Sequence, residues 1–473
     1  MVEPQHRRPV EFLERYYICR TTEKYSSNFS ISVRYNHRSI SKALLSHALH
    51  QLITNNSWFV QNYFHINHKM DDLANGTNYE VRILDSVKFE DAVSYKQVDQ
   101  FDASCLEFLN DFVFTMKANL PLWKVFVFEE SDGGQVISVC YDHSHFDGLS
   151  GVQFQKDLAK ELSRVANEEY FDVLFDYRRD FDKLPKQILP ARENLTDLFS
   201  LSWTEYINLT LKKHVPYYDS LLNYLSPSSN GLPIFHTDKP VDKNLKTRFR
   251  ILKLKPDEVD KISKYCRSIG VTLTSYFDII CLKSLQETVF TKVHPSSDFN
   301  TSSLVAINGR RYYSDEIKNF LYGCMVCGAP IILPNIKEGD NLEITMKKFH
   351  AEMTDDINSK KSFKAVGVLK YTNMWDFFKQ KLNKIGGRYT LTISNLGKIG
   401  NSNDTVTFEE MYFTSNTGVV YNFVLNMTTL PNGELTVVFG NLPEFENHEM
   451  NNQPIMDEFL SVFKSNLLHL PPH

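Results

Sequence analysis

Nowhere does the chain run for about 18 residues free of charge, so no helix long and apolar enough to span a bilayer is expected. The opening residues, MVEPQHRRPVEFLERYY, hold no apolar core and no cleavage signal, and a secretory leader is not expected either. Cysteine is sparse and odd in number: Cys19, Cys105, Cys140, Cys266, Cys281, Cys324 and Cys327 are scattered over 473 residues. Such spacing excludes the dense, even framework of a disulfide-stapled secreted domain and points to a reducing compartment. Cys324 and Cys327 form a lone C-x-x-C with no second pair at zinc spacing, inside apolar residues 321–330, and read as buried thiols. Sequons such as Asn28-Phe29-Ser30 and Asn194-Leu195-Thr196 carry weight only in a secreted chain. An excess of one charge is missing too. With 52 Lys and Arg against 57 Asp and Glu, the net charge of -5 gives no basic footprint for nucleic acid. Internal repeats and low-complexity tracts are absent, which excludes solenoids and arrays.

What is present is ordinary globular composition, 42% hydrophobic and 13% aromatic, enough for a sizeable core. Residues 26–35 (SSNFSISVRY) alternate like a strand, and residues 39–52 follow with helical period. WKVFVFEE at 123–130 and QVISVCY at 135–141 flank Ser131-Asp132-Gly133-Gly134, a hairpin pattern. The second run is apolar almost throughout, as in a strand covered on both faces. Asp142-His143-Ser144-His145-Phe146-Asp147-Gly148 follows at once, and a helix is predicted just after it, capped by Asp147 or Ser150. Prolines at 185, 190, 216, 227, 233 and 240 mark a crossover. Three segments result: 1–185, a linker over 186–245, and 246–473. The second half resumes with a strand at 247–253, helices from Pro256 to Gly270 and from Leu273 to Val289, and strands near 303–308, 325–332, 389–394, 418–428 and 435–439. Strands and helices mix without strict alternation, so the expected class is α+β. Residues 455–470 form an amphipathic helix with Phe459, Leu460, Phe463, Leu467 and Leu468 on one face. It reads as docked on the domain, with a membrane-surface anchor as the alternative.

The candidate chemistry centres on His143. A neutral imidazole takes a proton from a hydroxyl or amine at working pH, and a nearby carboxylate can fix its surroundings without reacting. Gly148 permits an unusual turn or a close approach. The spacing His143-x-His145-x-Asp147 also echoes dinuclear zinc hydrolases, but Gly148 stands where their next histidine would be. His214, His236, His294 and His350 form no companion motif.

His143, Asp147 and Gly148 match the H-x-x-x-D-G signature, and the sequence resembles the superfamily of chloramphenicol acetyltransferase, condensation domains and plant BAHD acyltransferases. Asp142 stands where many members carry a first histidine. Further matches are EFLERYYI at 11–18, CRSIGVTLTSYF at 266–277, INGR at 307–310, NFLYGCMV at 319–326 and TISNLG at 392–397. Their order and spacing most resemble the fungal alcohol acetyltransferases, a family that holds ester-forming enzymes and an N-acetyltransferase of sphingosine-like amino lipids. The chain length is closer to the latter. The plant D-F-G-W-G loop is replaced by SNLGKI at 394–399.

The resemblance implies two chloramphenicol-acetyltransferase-like mixed-sheet halves with a tunnel between them. It implies acetyl-CoA as co-substrate, no metal, and an apolar alcohol or amine as acceptor. His143 would be the general base, with Ser394 or Asn395 donating to the oxyanion. Asp147 would turn away to pair with Arg310, or failing that Arg311. Lys360, Lys361 and Lys364 are candidates for a coenzyme A phosphate, although a solvated charge run reads better. A monomer inside the cell is expected, in the cytoplasm or peripheral on endoplasmic reticulum or lipid droplets. The rival readings are a binding protein that kept the fold without turnover, and the zinc hydrolase.

Overall fold

Two mixed β-sheets, each backed by helices, carry the molecule. The computed structural model describes residues 3–25, 27–36, 39–66, 79–165, 168–201, 203–204, 206–207, 210, 231–294, 296–315, 320–400 and 405–470. His214, Asn319 and the crossover prolines 216 and 227 lie outside the described residues. Among the described residues no helix is long and apolar enough to cross a membrane.

The first sheet has five strands in the order Phe408–Ser415, Asn28–Tyr35, Gln135–Asp142, Trp123–Glu130 and Val93–Val98. Its central strand, Gln135–Asp142, is buried along its whole length, which accounts for its unbroken apolar sequence. The hairpin to Trp123–Glu130 closes with Gly133 at φ 85, where a side chain would be strained. Helix Lys42–Thr54, N-capped by Ser41 Oγ accepting from Leu44 N, packs against helix Gly148–Arg164. That second helix lies on strand Asn28–Tyr35.

The second sheet has six strands in the order Arg248–Leu254, Leu435–Asn441, Tyr421–Thr429, Tyr389–Lys398, Asn300–Asn308 and Val326–Pro334. Pairing is parallel on both sides of Tyr389–Lys398 and antiparallel elsewhere. Helix Pro256–Ile269 ends at Gly270 with φ 75, the left-handed cap its sequence calls for. The terminal helix Ile455–Leu468 turns Ile455, Met456, Phe459, Phe463 and Leu467 fully inward, against helix Leu273–Leu285. Each such side chain contributes about 1.5–3 kcal/mol relative to exposure, whereas Leu460 is half-buried and Leu468, also expected on this face, is exposed.

The chain does not fill the halves in strict succession. Strand Phe408–Ser415, from the second half of the sequence, pairs antiparallel with Asn28–Tyr35 and completes the first sheet. Helix Phe12–Thr22, from the first half, packs against helix Met374–Lys381 of the second. Cys19, Tyr25, Met374 and Phe378 form a small core across this junction. Part of the predicted linker is pinned as well: Arg192 and Glu193 are buried, and the Arg192 guanidinium lies over the rings of Trp58 and Phe320. The two sheets therefore meet along a seam, and strand Gln135–Asp142 ends at that seam.

Candidate active site

Strand Gln135–Asp142 stops because Asp142 turns its carboxylate back on the chain. That buried group accepts from Ser144 N at 2.9 Å, from Ser144 Oγ, and from Thr21 Oγ1 of the first helix at 2.6 Å. The turn presents His143, whose own N–H donates to Ser27 O at 2.8 Å. The imidazole stacks on Tyr17 at 4.6 Å and 10°, with Phe29 at 5.1 Å on a tilted approach. Its Nδ1 lies 3.5 Å from Cys324 Sγ. Burial, aided by the Arg20 charge, lowers the imidazole from its usual value to about 4, opposed by Asp147. At neutral pH the ring is therefore uncharged and able to accept a proton.

Asp147 faces the other way. It is the N-cap of helix Gly148–Arg164, accepting from Ser150 N and Ser150 Oγ, both at 2.9 Å. Arg310 donates to it twice, Nη1 at 2.6 Å and Nη2 at 3.0 Å, and Met325 N donates at 2.8 Å. Burial would raise this carboxyl, but the Arg310 guanidinium and the backbone donors hold it below the usual carboxylate range. Arg310 also donates to Gly323 O at 2.7 Å and Ser150 Oγ at 3.0 Å, tying a loop of the second half to a helix of the first. Arg311 is exposed. Gly148 does not adopt a left-handed turn; it serves close approach, since a Cβ there would sit 2.7 Å from Leu396 Cδ2.

A cavity of about 130 Å³ opens at the seam, lined by His143, Gly148, Tyr17, Arg20, Ser394 and Thr392 among others. Ser394 and Thr392 share the cavity face of strand Tyr389–Lys398, as period-two alternation demands. Asn395 falls on the opposite face and does not join them. Its Nδ2 reaches Thr274 Oγ1 at 3.3 Å, and its Oδ1 accepts from Gly397 N at 2.8 Å. Of the two expected oxyanion donors, only the Ser394 hydroxyl lines the space beside His143.

His145 is packed away as well. It stacks on Trp58 at 4.2 Å, and its ring nitrogens are 2.8 Å from Trp58 O and 3.3 Å from Tyr63 Oη. His143, His145 and Asp147 point in three directions and do not converge as a metal ligand set. Among the described residues no group of three or more His, Cys, Asp or Glu is placed to hold a metal. All seven cysteines are free and buried, and burial pushes the Cys327 thiol up to about 12.

Tyr17, Arg20 and Cys324 belong to this site although no role was assigned to them from sequence. Tyr17 and Arg20 lie three residues apart on one face of the first helix, a spacing legible in ERYYICR. Cys324 reaches His143 only through tertiary packing, and nothing in the sequence signals that contact.

The sequence profile of alcohol acetyltransferases matches residues 10–467. The chain belongs to the alcohol acetyltransferase family. An uncharacterized protein of Schizosaccharomyces pombe is 23% identical over 406 residues, covering 81% of this chain and 83% of that protein. Among solved structures, trichothecene 15-O-acetyltransferase TRI3 from Fusarium sporotrichioides is similar with a TM-score of 0.68 and 12% identity, over 98% of this chain and 96% of that one. The condensation domain of the monacolin K polyketide synthase MokA gives a TM-score of 0.59 at 14% identity, with 98% and 96% covered. At such identities these structures establish the fold. The family membership makes this alcohol acetyltransferase family member an acyltransferase, and the two-half architecture is that of the condensation and chloramphenicol acetyltransferase fold.

Proposed function

We propose that the protein transfers an acetyl group from acetyl-CoA to the hydroxyl or amine of an apolar acceptor, with His143 as general base. The observation that carries this reading is an uncharged imidazole at a strand end, facing a cavity between the halves, with its neighbouring carboxylate committed to Arg310. In the reaction, His143 Nε2 takes the acceptor's proton as the acceptor oxygen or nitrogen attacks the thioester carbonyl. The Ser394 hydroxyl donates to the resulting oxyanion. Collapse breaks the carbon–sulfur bond, and the imidazolium returns its proton to the departing thiolate. General base action contributes roughly 10²–10⁴-fold, and one oxyanion donor about 10²–10³-fold. Asp147 takes no proton; it keeps the His143 turn and the Arg310 loop in register.

Acceptors of this type partition into membranes, so an intracellular site at the endoplasmic reticulum or a lipid droplet fits the reading. The test is mass spectrometry of products formed from acetyl-CoA with mixed alcohols and sphingoid amines. Acetyl esters or amides formed with stoichiometric thiol release are expected. No thiol release across the panel would reject the reading in favour of a binding protein built on this fold.

A further inference from the structure

Strand Tyr421–Thr429 runs beside strand Tyr389–Lys398 in parallel register, and Asn426 is the direct neighbour of Ser394. Paired residues of adjacent strands share a face of the sheet, so the two side chains turn to the same side. Packing shows which side that is. Phe423, Leu425 and Met427 enter the core of the second half, whereas Val424 and Val438, the latter paired with Asn426, enter the core of the first. On the same face, Thr428 Oγ1 donates to Met411 O at 3.3 Å, and Asn426 Oδ1 accepts from Ser415 Oγ at 2.7 Å. Met411 and Ser415 belong to strand Phe408–Ser415 of the first sheet. Asn426 therefore stands in the seam, beside two serines that both line the His143 cavity.

Only one end of this amide is occupied. Asn426 is 1% exposed, and its Nδ2 is buried with no hydrogen-bond partner among the described residues. A buried N–H left unmatched carries its full desolvation cost, and native interiors rarely keep one idle. The other amides of the cavity and the second hydroxyl on that face are committed. Asn416 Nδ2 donates to Asn28 O at 2.8 Å and Asn28 Oδ1 at 3.1 Å, and Asn28 Nδ2 donates to Leu109 O at 3.0 Å and Phe112 O at 2.7 Å. Thr392 Oγ1 donates to Leu304 O at 2.9 Å. The Ser394 hydroxyl is left, and a hydroxyl accepts as well as donates. With a donor engaged on its oxygen, its proton must point elsewhere.

We propose that Asn426 positions the oxyanion donor: its Nδ2 donates to Ser394 Oγ and so turns the Ser394 proton towards the thioester carbonyl oxygen beside His143. Ser415 supports the arrangement by holding Oδ1, which keeps the amide from rotating and presents its N–H end to the neighbouring strand. As negative charge builds on the carbonyl oxygen, the two donors in series polarise one another. Asn426 touches no substrate and acts through Ser394. The amide adjacent in sequence, Asn395, leaves on the far face; the amide that serves the serine comes from the next strand.

This inference rests on the acetyl-transfer reading above, and a double-variant cycle separates the two. Steady-state kcat and KM are measured with acetyl-CoA and the acceptor found by product analysis, on the wild-type protein, Asn426→Ala, Ser394→Ala and Asn426→Ala/Ser394→Ala. Asn426→Leu, which keeps the side-chain volume, is measured in both backgrounds too, and circular dichroism confirms folding. Where one Asn426 variant fails to fold, the other carries the cycle. With Ser394 present, Asn426→Ala should lower kcat on the order of tenfold while KM for acetyl-CoA stays within about twofold of wild type. In the Ser394→Ala background the same change should alter kcat by less than about twofold, because no hydroxyl is left to aim. An equal loss in both backgrounds, or an unchanged kcat in the folded Asn426 variants, overturns the positioning role while leaving acetyl transfer standing. No acetyl transfer by the wild-type protein rejects both.

Discussion

Replacing Asp147 by Asn isolates what that carboxylate does. The substitution keeps shape but removes the charge and turns one acceptor atom into a donor. Five donor groups converge on this side chain, from Ser150 N and Oγ, Arg310 Nη1 and Nη2, and Met325 N. An asparagine satisfies at most those facing its oxygen. The Arg310 guanidinium, its side chain only 14% exposed, is then left without its counter-charge. Breaking one partner of such a buried pair costs about 3–5 kcal/mol, and loss of the helix N-cap charge adds to this. Thermal unfolding followed by circular dichroism should fall by several degrees, at about 2–4 °C per kcal/mol for a unit of 150–250 residues. A double variant, Asp147→Asn/Arg310→Met, removes the orphaned charge and should recover part of the loss. The carboxylate's depressed pKa gives the same sign: its stabilisation is full above the unfolded value near 4 and fades as pH falls through the folded value. Should Asp147→Asn unfold at the wild-type midpoint while losing turnover as completely as a His143 variant, a chemical role would replace the structural one.

Three further outcomes are expected. Ser394→Ala should lower kcat about 10²–10³-fold with little change in stability, and an unchanged kcat in steady-state assay rules out its hydroxyl as oxyanion donor. Gly151→Ala would place a Cβ 2.7 Å from Ile31 Cγ1 and 3.1 Å from Tyr141 Cε2, both on buried strands. The clash should outweigh a helix-propensity gain of up to about 1 kcal/mol, and a raised urea midpoint would contradict that balance. Because burial lowers His145 to about 3, its protonation opposes folding. Stability should therefore decline from pH 6.5 downward by up to a few kcal/mol, and a His145→Gln variant should flatten that limb of the denaturation profile.

Much of the fold was legible because its strands and helices announce themselves locally. The hairpin at 123–142, the capped helix after Asp147 and the Gly270 helix end all follow from turn chemistry and periodicity. The partner of Asp147 was legible through family resemblance, and Arg310 takes that place. Strand Phe408–Ser415 leaves little local signal in the sequence. Its opening Phe-Glu-Glu carries charge, because Glu410 answers Arg34 and Lys253 across the sheets rather than facing a core. Its transfer into the first sheet is a long-range pairing that no local pattern records. Asn395 parts from Ser394 for a related reason: SNLG suggests a turn, whereas the residues continue a strand, and alternation sends Asn395 away from Ser394. In the sequence Tyr17 is legible only within the EFLERYYI match at 11–18, because its stacking on His143 depends on how the two halves close.

The central claim is that His143 moves the proton. Its most direct test is CoA release from acetyl-CoA by His143→Ala, in the presence of the acceptor identified by product analysis and with CoA binding measured in parallel. The account predicts wild-type CoA affinity, a native circular dichroism spectrum and turnover reduced by at least about 10²-fold; wild-type turnover by that folded, CoA-binding variant would contradict it.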